Sequence, residues 1–220
     1  SHPVPDLVEG PHLVLDDVAV HRGDLTLAPV SLRTARGRVT LIEGPSGAGK
    51  SSVFAALRGA ATFDGMAAFD EVDVRRLAPA SWLAWSGQQP GLVTGSVTAN
   101  VALGEAEPDH ALVERALTLA CADEIDPRLE LGVQGSGLSG GQAQRVGVAR
   151  AFYRRLRGRA DVVALDEPSS ALDPETEARL WAGIRTIADE GAAVLLISHR
   201  QSARAIADDV VRLEPSEVIV

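Results

Sequence analysis

The stretch at residues 44–52, GPSGAGKSS, combines the residue types that bind a polyphosphate. Gly44, Gly49, Lys50 and Ser51 match the spacing G-x-x-x-x-G-K-[ST], between a strand pattern and a helix pattern. Glycines let the backbone approach a phosphate, the lysine reaches the terminal phosphates, and the serine hydroxyl can ligate Mg²⁺. Lys50 is the only lysine among 21 basic residues, and arginine does not replace lysine at a tight phosphate site. The stretch therefore predicts a nucleotide site.

Four polar residues follow apolar strand patterns elsewhere in the chain. Asp166 and Glu167 end VVALDE, His199 follows AAVLLIS, and Gln88 follows a shorter pattern. Taken alone, each could be a solvated or structural residue at a strand end. Ligands of open α/β sheets bind at the carboxyl ends of the strands, so we expect all four near Lys50. There Asp166 would hold Mg²⁺, Glu167 would activate water, His199 would contact the terminal phosphate and Gln88 would ligate Mg²⁺ or water.

A second glycine-rich stretch, SGLSGGQAQRV at residues 136–146, runs directly into a helix pattern. A helix N-terminus of this kind can bind an anion through its free N–H groups. The chain thus has two candidate phosphate sites, and the more complete one is at Lys50.

The remaining patterns predict an α/β fold with a mostly parallel sheet. Residues 12–34 alternate as antiparallel strands with a turn at Arg22, Gly23 and Asp24, which indicates a small β lobe. Strands alternate with helices in the core, and one helix has Asp173 as its cap and Pro174 at its first position. Residues 91–157 are mainly helical, with Asp109 as one N-cap. We expect a single domain over residues 1–220, with a core of about residues 1–90 and 158–220 and a helical subdomain of about residues 91–157.

Composition excludes several classes of protein. The 220 residues carry a net charge of −9, which argues against nucleic acid as a partner and favours solubility. No apolar run is long enough to span a bilayer. Cys121 is expected to be a small buried residue, and the histidines show no zinc spacing. The start SHPVPDLV, without methionine, suggests processing or excision from a longer protein.

Together these motifs resemble the nucleotide-binding domain of ABC transporters, over essentially the whole chain. GPSGAGKSS is similar to Walker A, QQP to the Q-loop, LSGGQ at residues 138–142 to the signature, and VVALDEP to Walker B. SALD at residues 170–173 resembles the D-loop, and His199 the switch histidine. The resemblance implies a RecA-like P-loop NTPase core with ATP and Mg²⁺ as cofactors.

The resemblance also implies a site for each residue. Walker A residues Gly44, Pro45, Ser46, Gly47, Ala48, Gly49, Lys50, Ser51 and Ser52 would bind this chain's ATP. Signature residues Ser139, Gly140, Gly141 and Gln142 would bind the ATP of a partner. Ser51, Gln88 and Asp166 would hold Mg²⁺, and Glu167, His199, Lys50 and Gln88 would be catalytic.

In this family two domains dimerise head to tail around ATP, and the cycle drives an attached transmembrane domain. The resemblance therefore implies a second nucleotide-binding domain as partner, identical or different, and a place at the cytoplasmic face of the inner membrane. The aromatic residue that usually stacks on adenine is absent, and its place falls on His21 or its neighbour Arg22. Either side chain can stack, so we expect a weaker hold on adenine or laxer base choice.

Details of the motifs point to exporters. Glu130 and Gly132 match an exporter pattern before the signature, and LSGGQAQRV, with Ala143, is similar to CydD/CydC-type exporters linked to thiol export and cytochrome bd assembly.

Three alternative functions remain. A guanylate-kinase-like P-loop kinase would lack the signature and Glu167, a non-hydrolysing ATP clamp would not need Glu167 and His199, and a DNA-repair ATPase would need long insertions.

Overall fold

The computed structural model describes residues 13–214. Within this range the strands are β1 (Leu13–Arg22), β2 (Leu25–Thr26), β3 (Val30–Thr34), β4 (Val39–Glu43), β5 (Phe63–Phe69), β6 (Val72–Asp73), β7 (Leu83–Ser86), β8 (Gly95–Ser96), β9 (Glu130–Leu131), β10 (Val162–Asp166), β11 (Ala193–Ile197) and β12 (Asp209–Arg212). The α-helices are α1 (Lys50–Leu57), α2 (Val97–Val101), α3 (His110–Leu119), α4 (Gly140–Leu156) and α5 (Pro174–Asp189).

The central sheet is parallel, in the order β12-β4-β11-β10-β7. Its inner strands β10 and β11 are buried along their whole length, as apolar strands covered on both faces must be. Alternate residues serve opposite faces: Val163 and Leu165 pack with the helical side, whereas Val162 and Ala164 pack with α1 and the antiparallel strands. The mostly parallel α/β fold expected from the sequence is confirmed.

The β lobe is organised around β1, which pairs antiparallel with β2, β3 and β5. The strand is irregular between Leu15 and Val18, where Asp17 has a positive φ of 47°. Gly65 lies opposite, and a Cβ on it would come within 2.2 Å of the Asp17 carbonyl oxygen, so this position requires glycine. The antiparallel strands expected at residues 12–34 are present, and β5 extends them beyond that expectation.

Residues 91–157 contain the three helices α2, α3 and α4, so helices are present where the sequence predicts them. The Asp109 carboxylate caps α3 by accepting a hydrogen bond from the Leu112 N–H, and Asp173 caps α5 in the same way. The two-residue strands β8 and β9, which pair antiparallel, were not expected. The boundaries of a separate helical subdomain stay a prediction.

Across residues 13–214, no helix combines the length and the apolar character that crossing a membrane requires.

Candidate nucleotide site

The loop at residues 44–52 connects β4 to α1, and its backbone suits a bound anion. Gly49 is the N-cap of α1, has a left-handed φ of 88° and offers no side-chain cap to the first N–H groups. A Cβ on Gly49 would lie 2.7 Å from Leu27 Cδ1, and a Cβ on Gly44 would lie 2.6 Å from the Leu213 carbonyl oxygen. Glycine at both positions therefore lets the loop fold tightly, and the first turn of α1 keeps N–H groups for a ligand.

Lys50 lies over this loop and is only 7% exposed. Its Nζ donates to the carbonyl oxygens of Gly44 and Pro45, both at 2.8 Å. An ammonium group has three N–H donors, so these two bonds leave one for a ligand. A largely buried cation beside an uncapped helix N-terminus strongly favours a polyanion.

Side chains with oxygen atoms that can ligate a magnesium ion lie close together next to this loop. The Ser51 hydroxyl donates to Asp166 Oδ2 at 2.6 Å, and Gln88 Nε2 lies 3.4 Å from Asp166 Oδ1. Within residues 13–214 there is no cluster of three or more histidine, cysteine or acidic side chains that could hold a metal by itself. One carboxylate with a hydroxyl and an amide fits Mg²⁺, which typically takes few protein ligands and completes its shell with phosphates and water. Gln88 would present its carbonyl oxygen after rotation of its amide.

Glu167 and His199 form the other wall of the site. Glu167 has a positive φ of 50°, a strained conformation that costs on the order of 1 kcal/mol. Its N–H donates to the Ile197 carbonyl at 2.9 Å, its Oε2 accepts from the His199 N–H at 3.3 Å, and its Oε1 lies 3.1 Å from His199 Nε2. This ring of contacts holds the side chain in place.

The carboxyl group of Glu167 is poised to accept a proton. Burial raises its pKa above the usual value, the attraction of His199 opposes this rise, and the neighbouring Asp166 adds to it. A carboxylate with a raised pKa is a better base, so Glu167 can take a proton from an attacking water.

Most of the strand-end and phosphate-loop residues selected from the sequence line one cleft of about 200 Å³, but Gly44, Pro45 and Ala48 of the loop do not. Lys50, Ser51, Gln88, Asp166, Glu167 and His199 all contribute to its walls, together with Ser46, Gly47, Gly49 and Ser52. Their strands β4, β11 and β10 are neighbours in the sheet, with Ile42 paired to Ile197 and Ile197 to Asp166. The parallel register thus brings their carboxyl ends to one edge.

Of the two residues at the expected place of the base-stacking aromatic, Arg22 lines the cleft and His21 does not. The His21 ring is engaged elsewhere, with Nδ1 3.1 Å from Thr26 Oγ1 and Nε2 3.3 Å from Asp64 Oδ2. Arg22 lines the cleft instead, since successive residues of a strand face opposite sides. His21 therefore lies outside the cleft walls, and stacking of Arg22 on a base stays a prediction.

The signature residues lie outside this cleft. Ser139 is the N-cap of α4: its hydroxyl accepts from the Gln142 N–H at 3.1 Å, and Gln142 Oε1 accepts from the Ser139 N–H at 3.0 Å. Within the described range, neither these residues nor Gly140 and Gly141 contribute to the cleft walls. Ser139 and Gly140 are exposed, so this helix end faces outward.

Sequence reasoning missed Gln144 of α4, which contacts the site, and Arg150 of α4, which contacts the segment after Gln88. Gln144 is 5% exposed, donates to the Glu167 carbonyl at 2.7 Å and accepts from the Ser170 hydroxyl at 3.0 Å. Arg150 donates to the carbonyls of Pro90 and Gly91, just after Gln88. The sequence does contain a signal for Gln144. This polar residue lies one turn before Val148 on the apolar face of the helix, where a polar side chain needs a partner.

Comparison with known proteins gives related sequences. The chain is 36% identical to the ATP-dependent lipid A-core flippase of Cupriavidus metallidurans, over 94% of this chain and 36% of the relative. It is 39% identical to the cyclolysin secretion/processing ATP-binding protein CyaB of Bordetella pertussis, over 87% and 28%. It is 34% identical to the beta-(1→2)glucan export ATP-binding/permease protein NdvA of Agrobacterium fabrum, over 86% and 33%. The chain thus spans about a third of the length of these relatives.

A solved structure and a family model agree with these relatives. The structure of a bacterial Atm1-family ABC exporter with ATP bound superposes with a TM-score of 0.82 and 27% identity, over 98% of this chain and 41% of that one. A family model described as ABC transporter matches residues 27–170, which include the phosphate loop, the signature and Glu167. The chain therefore belongs to the ABC transporter family, as an ATP-binding ATPase domain of the exporter kind.

Proposed function

We propose that this chain powers an exporter by binding and hydrolysing ATP in a head-to-tail dimer with a second nucleotide-binding domain. The observation that carries the proposal is the cleft, in which Glu167 and His199 face Lys50 and the Ser51–Asp166 pair. A chain that only bound nucleotide would need the phosphate loop but no buried carboxylate held beside it. The same reasoning disfavours a clamp that does not hydrolyse.

Each residue has a distinct part in the proposed reaction. Lys50 and the first N–H groups of α1 bind the β- and γ-phosphates. Ser51, Asp166 and Gln88 would hold Mg²⁺, which neutralises phosphate charge. Glu167 takes a proton from the attacking water, and His199 orients Glu167 while facing the γ-phosphate. Because these groups stay fixed by their mutual contacts, little reorganisation is needed on reaction.

The second half of each site would come from the partner domain. The helix N-terminus formed by Ser139, Gly140 and Gly141 lies outside the cleft of its own chain, so it cannot bind the phosphates held there. In the proposed dimer this end faces the partner's ATP, and hydrolysis weakens the contact. The domain would thus act at the cytoplasmic face of a membrane, against a transmembrane domain.

We further propose that the transported substrate is a thiol such as cysteine or glutathione, as in CydD/CydC-type exporters. The signature segment LSGGQAQRV with Ala143 supports this. The relatives named above carry other cargoes in their names, so the substrate requires a direct test. Transport of labelled glutathione into vesicles that contain the transporter would support the proposal, and transport of lipid A alone would contradict it.

Substitution Glu167→Gln tests the proposed hydrolysis. It removes the base but keeps the size and polarity of the side chain, so we expect ATP binding to persist while hydrolysis falls by about 100-fold or more. The variant should form a stable dimer in ATP, measured by light scattering, whereas the wild type dimerises transiently. The matched control Glu114→Gln changes an exposed acid of α3 and should behave as wild type.

Two results would contradict the proposal. One is a Glu167→Gln variant that stays monomeric with saturating ATP and its partner. The other is phosphoryl transfer from ATP to GMP or AMP, which would favour a nucleotide kinase instead.

A further inference from the structure

Gln144 connects the signature helix to the catalytic glutamate of the same chain. Its Nε2 donates to the Glu167 carbonyl oxygen at 2.7 Å, and its Oε1 accepts from the Ser170 hydroxyl at 3.0 Å. Both polar ends of this buried amide are therefore hydrogen-bonded to the single segment that follows β10. A side chain held at both ends has little freedom to adjust on its own.

Glu167 needs such support because its backbone is strained. Its positive φ of 50° is unusual for a residue with a side chain, and the conformation persists only when its surroundings enforce it. The Glu167 N–H donates to the Ile197 carbonyl of β11, and the Glu167 carbonyl accepts from Gln144 of α4 at 2.7 Å and, at the longer distance of 3.3 Å, from the Ser170 N–H. The backbone that carries the carboxylate is therefore supported by two different elements, one of which is the signature helix.

The first turn of the same helix also faces the segment after Glu167. A Cβ added to Gly141 would lie 3.6 Å from the Ala171 Cβ, which is van der Waals distance, so little space separates the two segments. The first turn of α4 is itself fixed by the reciprocal bonds between Ser139 and Gln142. A shift of this helix end would therefore carry Gln144 with it and move the Glu167 backbone.

We infer that Gln144 is a positioning residue that makes Glu167 responsive to the nucleotide bound against its own chain's signature. This inference rests on the proposed function, in which that nucleotide belongs to the partner. The partner's ATP, bound by Ser139, would fix the position of α4. Gln144 would then hold Glu167 in the orientation that hydrolyses this chain's own ATP.

Mixed dimers that each contain a single working Glu167 test this inference. The reference pairs a wild-type subunit with a Glu167→Gln subunit. In the first test dimer, Gln144→Glu is on the subunit that keeps Glu167; in the second, Gln144→Glu and Glu167→Gln share one subunit and the partner is wild type. Differently tagged subunits allow each dimer to be purified, and kcat and KM for ATP are measured.

The two test dimers contain the same substitutions, so only their arrangement can cause a difference. Gln144→Glu loses the N–H donor to Glu167 but keeps an acceptor for Ser170. We expect kcat of the first dimer to be about tenfold below the reference, as for loss of one positioning hydrogen bond, with KM within about twofold. The second dimer should match the reference within about twofold.

The opposite pattern would overturn the inference. If Gln144 merely shaped the signature surface for the partner's nucleotide, the second dimer would be slow and the first would be fast. Equal rates in both dimers would also contradict it. Gln134→Glu, at an exposed position, is the control for the charge change, and Gln144→Met takes the place of Gln144→Glu if that variant does not fold.

A double-mutant cycle tests the link to the signature. Ser139→Ala on the subunit that keeps Glu167 should lower its kcat, and adding Gln144→Glu to it should lower kcat no further. Independent, multiplied effects would contradict the link. An inactive reference dimer would instead disprove the proposed function itself, so the two failures are distinguishable.

Discussion

The N-termini of α1 and α4 both look like phosphate sites in the sequence, yet the structure prepares them differently. At α1 the N-cap is Gly49, no side chain caps the helix, and Lys50 is almost entirely buried beside it. At α4 the N-cap Ser139 forms reciprocal hydrogen bonds with Gln142, and the helix end is exposed. One end keeps its donors for a ligand, whereas the other already satisfies part of them within the chain.

This difference shows how much of a nucleotide-binding site one chain can supply. The α1 end adjoins a cation, a candidate metal site and a base, so one chain supplies most of the groups that a triphosphate site requires. The α4 end has a serine hydroxyl and two glycines but lies apart from these groups. It can contribute to a site only when another molecule brings the phosphate to it.

The largest effect is expected on ATP affinity, from the substitution Lys50→Met in the α1 site. It removes the buried ammonium and its charge-assisted hydrogen bonds to phosphate, so we expect ATP affinity to fall by about 100-fold. Isothermal titration of the purified protein with ATP and Mg²⁺ measures the change. A loss of less than about threefold would show that Lys50 does not contact the phosphates.

An intermediate effect on kcat is expected from a change of pH. It should arise at the site beside α1 and not at the N-terminus of α4. Burial raises the pKa of Glu167, so this acid keeps its proton to a higher pH than usual. A base must be deprotonated, and kcat should therefore fall as the pH drops through this raised pKa, by about tenfold for each pH unit below it. The first turn of α4 contains no acidic residue that could add such a dependence.

The pH profile of kcat measures this effect, with Glu167→Gln as control. The residual rate of that variant should lack the acidic limb. An acidic limb that persists in the variant would assign the titration to another group.

The smallest effect is expected from Ser139→Ala at the α4 end. Loss of this N-cap should destabilise the protein by about 1 kcal/mol, or about 2–4 °C in Tm. ATP affinity of the monomeric chain should not change, because Ser139 lies outside the cleft. Ser139→Asn, which restores a capping side chain, should recover most of the lost Tm; a drop in monomer affinity would mean that the two ends are not separate.

Much of the site followed from the sequence because it depends on strand ends. A parallel sheet places the residues after β4, β10 and β11 at one edge, so the apolar patterns before Gly44, Glu167 and His199 were sufficient to bring them together. The caps Asp109 and Asp173 were equally visible, since capping is local.

The features that were missed depend on contacts between distant segments. The strands β8 and β9 have two residues each, too few to show any periodicity. The sequence shows Gln144 only as a polar residue on the apolar face of α4, and its partner Glu167 becomes apparent only when that helix is packed. The choice between His21 and Arg22 depends on which face of β1 turns toward the cleft, and the irregularity near Asp17 changes that register.

The sheet order also determines when the phosphate loop can form during synthesis. In its sheet β4 pairs with β11 and β12, so its partners leave the ribosome only when residues 193–212 have been made. The antiparallel strands β1, β3 and β5 lie within residues 13–69 and can associate much earlier. A nascent chain can thus fold its β lobe first, but it gains a nucleotide cleft only after residues 193–197 have been made and β11 has inserted between β4 and β10.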